Sequence, residues 1–426
     1  MISLTLFENA ITKFDFLDDE TVKDIYLLSN SIKENLGLTK LPIQFIKNNE
    51  IFVDGIIANI SVNNTSLVII PKFLDNDINQ DKTLKTLFYR TLRCAGNSLA
   101  STVYFSKESL VSGQDAFVES IAKYFSDELA DALNKSSIMR YEDTIEKTYN
   151  VKGQILFDKI FSNPNQDLKV WCKYKKSSTN NIYNQLLYWA ANYLYQSKIS
   201  FDLRKRLFQL MKLLPNDTHL LSNDEIVKLQ LPRQYYAYSE CFVLAKNLYL
   251  GNGGKMHQSD NKICGYSINM SKSFENIVCY YSRSCAYDLG LIHYSQASIR
   301  FAIASNSSEY DYFVRPDDII SFENKKLILD AKYKVIMSKG KPKPSREDFY
   351  QMISSCIAHS SKEAVLIYPW TKGANSNDWA TVERINGDKI YIQSGFINIL
   401  SSEKDLKDSF TNIIKNTLFF KEVQNG

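Results

Sequence analysis

The chain has 426 residues, of which 44% are hydrophobic and 23% are charged, and its formal net charge is +4. A chain of this length exceeds what one hydrophobic core usually organises, so we expect two or three domains. The composition is typical of globular proteins, and the sequence has neither an apolar run long enough to span a membrane nor the features of a signal peptide, which argues against membrane proteins and indicates a cytoplasmic protein.

The seven cysteines are scattered and form no CxxC pair, and the four histidines have no HExxH spacing. These patterns argue against a disulfide framework and against a zinc ribbon, and they favour reduced thiols in the cytosol. We therefore expect any bound metal to have oxygen ligands.

The first 80 residues are predicted to form a β-rich module. A helix is expected around Asp18–Asn35, and β-branched runs then fill Ile51–Phe73. Turn signals at Asp54-Gly55 and Asn63-Asn64 interrupt these runs, which is the pattern of hairpins.

Residues 81–250 are predicted to be mostly helical. Apolar residues recur at three- and four-residue steps in Phe117–Asn134, Ile182–Ile199 and Leu203–Leu214. The glycine-rich segment Gly251–Lys262 follows, and it indicates a loop or a domain boundary. This segment lacks the GK[ST] sequence of a phosphate-binding loop, so we do not favour that alternative.

Residues 265–400 are predicted to form a compact α/β domain, and residues 401–426 a helical tail. The pattern predicts a helix over Met270–Leu289, then strands, a helix over Arg346–His359, and a further strand over Ala364–Tyr368. The intervening strands are predicted at Ser298–Ala304, Asp311–Val314, Ile319–Phe322 and Lys326–Ala331. The fold class of the whole chain is therefore mixed α/β.

Two acids and a lysine end neighbouring strands of this domain. Asp317 follows Pro316 at the start of one strand, and Asp330 and Lys332 close the next strand. In a hairpin of this length the two acids lie side by side, and strand alternation places Asp330 and Lys332 on the same face.

Carboxylates that meet at one point suit Mg²⁺, which keeps positions open for a scissile phosphate. The ammonium of Lys332 is placed to orient or help deprotonate an attacking water. The preceding helix contributes a third acid, Glu275, and the following helix contributes Tyr350 and Gln351. We expect Tyr350 to pack in the core.

These features resemble the PD-(D/E)XK nuclease fold. Pro316-Asp317 and Asp330-x-Lys332 match its signature, and Glu275 matches the acid often found on its first core helix. The strings ILDAKYK and DFYQ are more specific and are similar to the McrC family. Looser similarities to that family lie at Ser66–Phe73, at Met139–Asp158 with Lys152-Gly153-Gln154-Ile155 in place of R-G-R-I, and at Asn181–Pro215. Cys356 departs from the family, whose helix often has an aromatic residue there.

The resemblance implies a metal-dependent DNA endonuclease subunit of an McrBC-like restriction complex that acts in phage defence. It implies Mg²⁺, with Mn²⁺ able to substitute, held by Asp317, Asp330 and Glu275 directly or through water, with Lys332 and Gln351 as further catalytic residues. It also implies modified double-stranded DNA as substrate and an McrB-like AAA+ GTPase ring as partner, contacted by the N-terminal module. The chain has no Walker A motif of its own, which fits a nuclease with a separate motor.

The segment Lys325–Arg346 contains eight basic residues and one acid. We predict contacts with the DNA backbone, and the alternative is a solvated lysine-rich loop. The residues assigned to these contacts are Lys334, Lys339, Lys341, Lys343 and Arg346.

Two other functions remain open at this stage. One is a stand-alone repair nuclease of the RecB type, and the other is a non-cleaving DNA-binding or assembly subunit. Retention of both strand-end acids and the lysine argues against the non-cleaving alternative, since a scaffold has no need for all three.

Overall fold

A computed structural model describes residues 2–47, 49–71, 80–105, 116–161, 169–215, 222–250, 264–302, 312–334, 336–338, 341–370, 379–383 and 389–419. In chain order the strands are β1 (Ile2–Phe7), β2 (Ile11–Lys13), β3 (Ile43–Lys47), β4 (Glu50–Val53), β5 (Ile56–Val62), β6 (Thr65–Ile70), β7 (Val103–Phe105), β8 (Arg140–Thr148), β9 (Gln154–Ile155), β10 (Val170–Ser178), β11 (Cys264–Asn269), β12 (Ile292–Ser295), β13 (Ile299–Ala302), β14 (Tyr312–Val314), β15 (Asp318–Phe322), β16 (Lys325–Ala331), β17 (Met337–Ser338), β18 (Lys341–Pro342), β19 (Glu363–Pro369), β20 (Trp379–Glu383) and β21 (Lys389–Ile397).

The α-helices are α1 (Asp19–Leu36), α2 (Gln80–Ala95), α3 (Leu99–Thr102), α4 (Ala116–Lys135), α5 (Phe157–Phe161), α6 (Ile182–Gln196), α7 (Phe201–Met211), α8 (Asn223–Lys228), α9 (Ser239–Leu250), α10 (Met270–Asp288), α11 (Arg346–His359) and α12 (Glu403–Leu418). Short 3-10 helices lie at Gly96–Ser98 and Arg233–Tyr238. Within the described part of the chain, no helix combines the length and the apolar character that crossing a membrane requires.

The chain forms two compact units. Unit 1 consists of Met1–Phe105 and Ser259–Gly426, and unit 2 consists of Ser106–Gln258. The bounds of these units differ from those of the four predicted segments, because unit 1 joins the N-terminal segment to the C-terminal part of the chain. The predicted loop Gly251–Lys262 lies outside the described residues.

The first sheet of unit 1 has the strand order β1-β6-β5-β11-β7, and we call it the N-terminal sheet. Helix α1 packs on it, and the Asp18 carboxylate caps this helix by accepting a hydrogen bond from the Thr21 amide at 2.8 Å. The predicted helix and hairpins of this region are confirmed.

Strand β11 was not predicted, and it inserts into the N-terminal sheet from a distant part of the sequence. It pairs with both β5 and β7, so the sheet combines strands from the two chain segments that make up unit 1. Gly265 in this strand has a φ of 137°, and a Cβ atom there would lie 2.1 Å from the Asn59 carbonyl oxygen. Only glycine permits this close approach of the two backbones.

The second large sheet of unit 1 has the order β12-β15-β16-β19-β21-β20, and we call it the six-stranded sheet. Strands β16, β19 and β21 run parallel to each other, whereas β12, β15 and β20 pair antiparallel. On one face, Ile319 and Ile328 pack with Met352 and Cys356 of α11. Alternation along β15 and β16 assigns the two strand-end acids to this face.

Most predicted elements of this region are confirmed, including α10, α11, α12 and strands β13 to β16 and β19. The prediction that Tyr350 packs in the core is wrong, because its side chain is 62% exposed. The buried residues of α11 are Asp348, Met352, Ser355, Cys356 and His359.

In unit 2, helices α4, α6 and α7 confirm the three predicted helices. The unit also contains α9 and a sheet with the order β8-β10-β9. The prediction that residues 81–250 are mostly helical missed the long pair of strands β8 and β10. Charged and polar residues make up most of both strands, and no regular alternation of apolar side chains indicates a buried face.

The described cysteine side chains are free thiols, as predicted from their spacing: Cys94, Cys172, Cys241, Cys279, Cys285 and Cys356.

Candidate active site

The antiparallel pair β15–β16 brings two acids to the same end of the six-stranded sheet. Asp318 pairs with Leu329, so Asp317, one residue earlier, comes level with Asp330. The Asp317 Oδ2 atom accepts a hydrogen bond of 2.8 Å from the Ala331 amide. The predicted side-by-side arrangement of the acids is therefore what the strand register produces.

Strand β16 is buried up to its end, which takes Asp330 out of water. Leu327, Ile328 and Leu329 are fully buried, and Asp330 is 2% exposed. The Lys332 Nζ atom lies 2.5 Å from the Asp330 Oδ2 atom and donates a hydrogen bond of 3.0 Å to the Gln351 Oε1 atom. The structure thus brings together the strand-end acid, the lysine and the glutamine that the sequence singled out.

Burial and neighbouring negative charge raise the pKa values of Asp317 and Asp330. Burial, followed by the charge of Asp330, raises the pKa of Asp317 to about 7, although the Ala331 amide favours its charged form. Burial also raises the pKa of Asp330, and the Lys332 ammonium only partly offsets this effect. Burial lowers the pKa of Lys332, but the neighbouring carboxylates, Asp330 first, outweigh it, so the pKa is raised overall.

Glu275 lies near the acids but is held by other partners. Its Oε1 atom accepts hydrogen bonds of 2.7 Å from Lys272 Nζ and 2.7 Å from Gln296 Nε2. Among the described residues, Glu275, Asp317 and Asp330 do not form a group whose ligand atoms all lie within 4.8 Å of one another. Contact with a shared cation through water therefore fits Glu275 better than direct ligation by all three acids.

Sequence reasoning missed Gln296, which links two of the candidate residues. Besides its bond to Glu275, its backbone amide donates to the Asp317 carbonyl oxygen at 2.7 Å, and its Oε1 atom accepts from Arg315. Gln296 has a φ of 50°, which is uncommon for a residue other than glycine and places its side chain in a tight turn after β12. Nothing in the local spacing indicated this role.

The donor set fits a hard divalent cation. Asp317 and Asp330 supply carboxylate oxygens, which Mg²⁺ prefers. Apart from its ion pair with Lys332, the buried Asp330 Oδ2 atom has no hydrogen-bond partner among the described residues. A cation would also favour ionisation of two buried acids whose pKa values are raised.

The predicted DNA-backbone lysines are only partly described. Lys334 pairs with Asp348, at 3.0 and 3.2 Å, so this ammonium already has a partner at the start of α11. Lys343 and Arg346 are exposed, Lys339 lies outside the described residues, and of Lys341 only the backbone is described. Part of the basic segment forms a short antiparallel strand pair, in which Met337 pairs with Pro342 and Ser338 with Lys341.

Comparisons with known proteins agree with this architecture. A structure of Thermococcus gammatolerans McrB AAA+ hexamers with bound McrC contains a chain similar to this one, with a TM-score of 0.60 and 16% identity, covering 97% of this chain and 100% of that chain. A cryo-EM structure of the Thermococcus gammatolerans McrBC complex is also similar, with a TM-score of 0.41 and 16% identity over 65% of this chain and 86% of that chain. The curated proteins include no match.

The sequence also matches a family model described as "McrBC 5-methylcytosine restriction system component" over residues 53–369. This match covers more than half of the chain and includes Asp317, Asp330 and Lys332. It confirms the resemblance on which the sequence analysis relied. The chain belongs to the McrBC family of 5-methylcytosine restriction system components.

Proposed function

We propose that this chain is the DNA endonuclease subunit of an McrBC-type restriction complex and hydrolyses phosphodiester bonds with Mg²⁺ in the cytoplasm. The observation that supports this proposal most strongly is the buried set at the end of β15–β16. There, Asp330 lies 2.5 Å from the Lys332 ammonium and level with Asp317.

A purely structural reason for this set is hard to find. Two neighbouring carboxylates removed from water destabilise each other's charged forms, as the raised pKa of about 7 for Asp317 reflects. Such groups are concentrated at sites where chemistry requires them. Binding of a cation and a phosphate provides a role for both acids and the lysine. Folding of the chain alone does not require these three charged groups.

In this mechanism Asp317 and Asp330 would hold the cation, and Glu275 would contribute through water. A bound cation would supply polarisation of the scissile phosphate and would offset the charge that develops on it. Lys332 remains protonated in the resting site, because its pKa is raised, and it stabilises the same developing charge. Gln351 holds the Lys332 side chain by accepting its hydrogen bond at 3.0 Å.

The partner in this proposal is an McrB-type AAA+ ring, since the structurally similar Thermococcus gammatolerans assembly contains McrB AAA+ hexamers with bound McrC. The substrate class is duplex DNA that carries a modified base, which follows from the family's description as a 5-methylcytosine restriction system component. Exposed Lys343 and Arg346 supply positive charge near the site for the DNA backbone.

We assign the partner contact to the N-terminal module, whose exposed turn residues include Asp54 and Asn64. Deleting residues 1–76 is not a usable test, because it would remove β1, β5 and β6 from the N-terminal sheet. Substituting Asp54→Arg together with Asn64→Arg leaves the strands in place. This variant should lose stimulation of the partner's nucleotide hydrolysis.

A matched variant in unit 2 tests the competing surface. Tyr141 of β8 and Tyr149, which directly follows this strand, are 74% and 70% exposed, and exposed aromatic side chains often contact partners. If Tyr141→Ser with Tyr149→Ser abolishes stimulation and the Asp54/Asn64 variant does not, the assignment to the N-terminal module is wrong.

The experiment that tests the function measures cleavage of methylated and unmethylated duplex DNA. The purified chain is assayed with and without an McrB-type partner from the same genome, with GTP or ATP, and with Mg²⁺ or EDTA. We expect cleavage of methylated DNA that requires both the partner and Mg²⁺. Asp330→Asn should reduce cleavage by at least about a hundredfold while still stimulating the partner. Asp288→Asn, an exposed aspartate on α10, is the matched control and should cleave normally.

Three outcomes would contradict the proposal in different ways. Cleavage by Asp330→Asn at the wild-type rate would remove the active-site assignment. Mg²⁺-dependent cleavage that needs no partner would favour a repair nuclease of the RecB type. Stimulation of the partner without any cleavage by the wild-type chain would favour a non-cleaving assembly subunit.

A further inference from the structure

A second group of metal-ligating side chains lies on the opposite face of β15 from Asp317. The imidazole Nε2 atom of His293 lies 2.9 Å from the Asp318 Oδ1 atom, and the Ser282 hydroxyl donates to Asp318 Oδ2 at 3.0 Å. The Cys279 thiol completes the group. Ligand atoms of Cys279, His293 and Asp318 all lie within 4.8 Å of one another.

The fold explains why these residues meet. Cys279 and Ser282 follow Glu275 at helical spacing, so the three residues share one face of α10. On the sheet, Ser295 of β12 pairs with Asp318 of β15, and His293 lies two residues from Ser295 on the same face of β12. The group therefore joins a helix and two strands.

We propose that Cys279, His293 and Asp318 form a binding site for Zn²⁺ or a similar borderline transition metal, separate from the oxygen-rich acids at the strand ends. A thiolate, an imidazole nitrogen and a carboxylate oxygen are the three ligand types that Zn²⁺ takes in proteins. The fourth position would be filled by water or by the nearby Ser282 hydroxyl. Nothing in the proposed nuclease chemistry uses this group.

Binding an ion would require only small shifts: the His293 Nε2 and Asp318 Oδ1 atoms, now 2.9 Å apart, would separate slightly, and the other ligand atoms, which lie within 4.8 Å of one another, would adjust to the same spacing. Tetrahedral Zn²⁺ with bonds of about 2.0–2.3 Å places its ligand atoms about 3.3–3.8 Å apart. The observed group is already within 4.8 Å, and its carboxylate is fully buried. The His293 side chain is 7% exposed, so desolvation of that ligand has largely been completed by folding.

The alternative to a metal site is a hydrogen-bonded network without metal. The Cys279 thiol distinguishes the metal site from such a network. Asp318 is already satisfied by His293 and Ser282, so a network of this kind needs no sulfur. Cys279 is nevertheless held beside it by hydrogen bonds with Ser295 at 3.3 Å and Arg283 at 3.5 Å. The thiol must lose its proton to solvent when the ion binds, since burial raises its pKa to about 11.

The consequence of binding would be local stabilisation next to the proposed active site. The ion would tie α10 to β12 and β15 one helical turn beyond Glu275. It would thereby hold the helix that carries the third acid against the sheet. The test below does not depend on DNA cleavage, so its failure leaves the proposed nuclease function untouched.

The experiment titrates the metal-free, full-length chain with Co²⁺ and then with Zn²⁺. Co²⁺ is a spectroscopic substitute whose tetrahedral bands and thiolate charge-transfer band report the geometry and the sulfur ligand. We expect one equivalent to bind with a thiolate band, and Zn²⁺ to displace it and raise the melting temperature. Cys279→Ser should lose the thiolate band and bind at least about tenfold more weakly.

Control variants separate this site from other thiols and from the acids. Cys285→Ser, on the same helix, and Asp330→Asn, at the strand ends, should keep one equivalent with the thiolate band, because Co²⁺ bound by Asp317 and Asp330 has oxygen ligands and gives no such band. His293→Gln is a second ligand variant in case Cys279→Ser fails to fold, and it should also weaken binding. The proposal is wrong if the wild-type chain binds no stoichiometric Co²⁺ or Zn²⁺, if the band persists in Cys279→Ser, or if Asp330→Asn abolishes it.

Discussion

The antiparallel pairs β15–β16 in unit 1 and β8–β10 in unit 2 differ in what stabilises them. The first pair is packed on both sides, and its central residues Ile320 and Ile328 are fully buried. In the second pair most positions of β8 are exposed, including Tyr141 and Ile145. The first therefore gains stability from apolar burial, whereas the second must gain it from contacts within the pair.

Those contacts are cation–π interactions between lysine and tryptophan side chains and a hydrogen bond between tyrosine and glutamate. Lys147 lies directly opposite Trp171, with its Nζ atom 5.7 Å from the centre of the indole, and Lys159 approaches the same ring at 4.9 Å. Tyr174 donates a hydrogen bond to Glu146 on the neighbouring strand. Each cation–π contact of this exposed kind contributes about 0.5–1 kcal/mol.

The difference in burial between the two pairs shows which charged residues need a functional explanation. Polar residues on the β8–β10 pair are solvated, so their presence costs little and carries no functional meaning by itself. Asp317, Asp330 and Lys332 lie at the end of the buried strand pair β15–β16. Charged groups there destabilise the fold unless they are compensated by a partner. Four predictions test this contrast, in order of decreasing effect.

The largest effect is expected for Lys332→Met, which removes the ammonium beside Asp330 and keeps the aliphatic volume. Cleavage by the complex should fall by about 10²–10³-fold, because the ammonium that stabilises the developing charge is lost. Lys389→Met, an exposed lysine of β21, is the matched control. Equal cleavage by both variants would remove the lysine from the mechanism.

Asp317→Asn should stabilise the metal-free chain, and more so at higher pH. The pKa of Asp317 is raised to about 7 in the folded state from an ordinary value of 3.8. The unfolded chain therefore loses this proton first, and the carboxylate destabilises the fold progressively between pH 4 and 7 and fully above that. Asparagine keeps an acceptor for the Ala331 amide without the charge.

Urea unfolding in EDTA at several pH values measures this effect. The gain of Asp317→Asn over the wild type should be near zero below pH 4 and reach on the order of 2 kcal/mol at pH 8. A gain that shrinks as the pH rises would show that the carboxylate is stabilised, rather than strained, by its surroundings.

Trp171→Ala should loosen only the β8–β10 pair. Loss of two cation–π contacts should lower its local opening free energy by about 1–2 kcal/mol. Hydrogen exchange should show faster exchange at the amides of β8 and β10 and unchanged exchange at β16. Trp171→Phe, which keeps an aromatic ring, should have a smaller effect, and unchanged protection in Trp171→Ala would mean that these contacts add nothing.

The smallest effect on affinity is expected from the basic segment. Substituting Lys339, Lys341 and Lys343 by Ala should flatten the log–log salt dependence of duplex binding by about two to three units. Binding to different sequences should weaken about equally, because phosphate contacts position the protein without selecting bases.

A charge-matched control is available in the N-terminal region of unit 1. Its exposed lysines include Lys13, Lys23 and Lys40. Their substitution by Ala changes the net charge equally and should leave the salt slope unchanged. If both triple variants have the same salt slope for duplex binding, the basic segment is a solvated lysine-rich turn that does not contact the DNA backbone.

Three strands of the six-stranded sheet, β15, β16 and β19, could be predicted from sequence because their signals are local, whereas β12, β20 and β21 were not predicted. The run Leu327–Leu329 leads directly into Asp330, and the regular apolar spacing of α10 and α11 marks their helices. Tyr350 shows the limit of this reasoning, since apolar character alone did not reveal that it lies away from the face containing Met352 and Cys356.

What could not be predicted depends on partners distant in sequence. Strand β11 is defined by its pairing with β5, and β8 and β10 are stabilised mainly by each other. Gln296 reaches Glu275 and the Asp317 backbone only through the turn after β12. Local sequence spacing does not indicate that such distant residues will contact each other in the folded sheet.

Binding of Mn²⁺ to the full-length chain tests most directly whether the two strand-end acids hold the catalytic cation. Mn²⁺ prefers oxygen ligands and can be followed by calorimetry or by electron paramagnetic resonance. The wild-type chain and Asp288→Asn should bind it with equal affinity, and Asp330→Asn and Asp317→Asn should each bind at least about tenfold more weakly. Unchanged Mn²⁺ affinity in both acid variants would contradict the assignment of the metal centre to β15–β16.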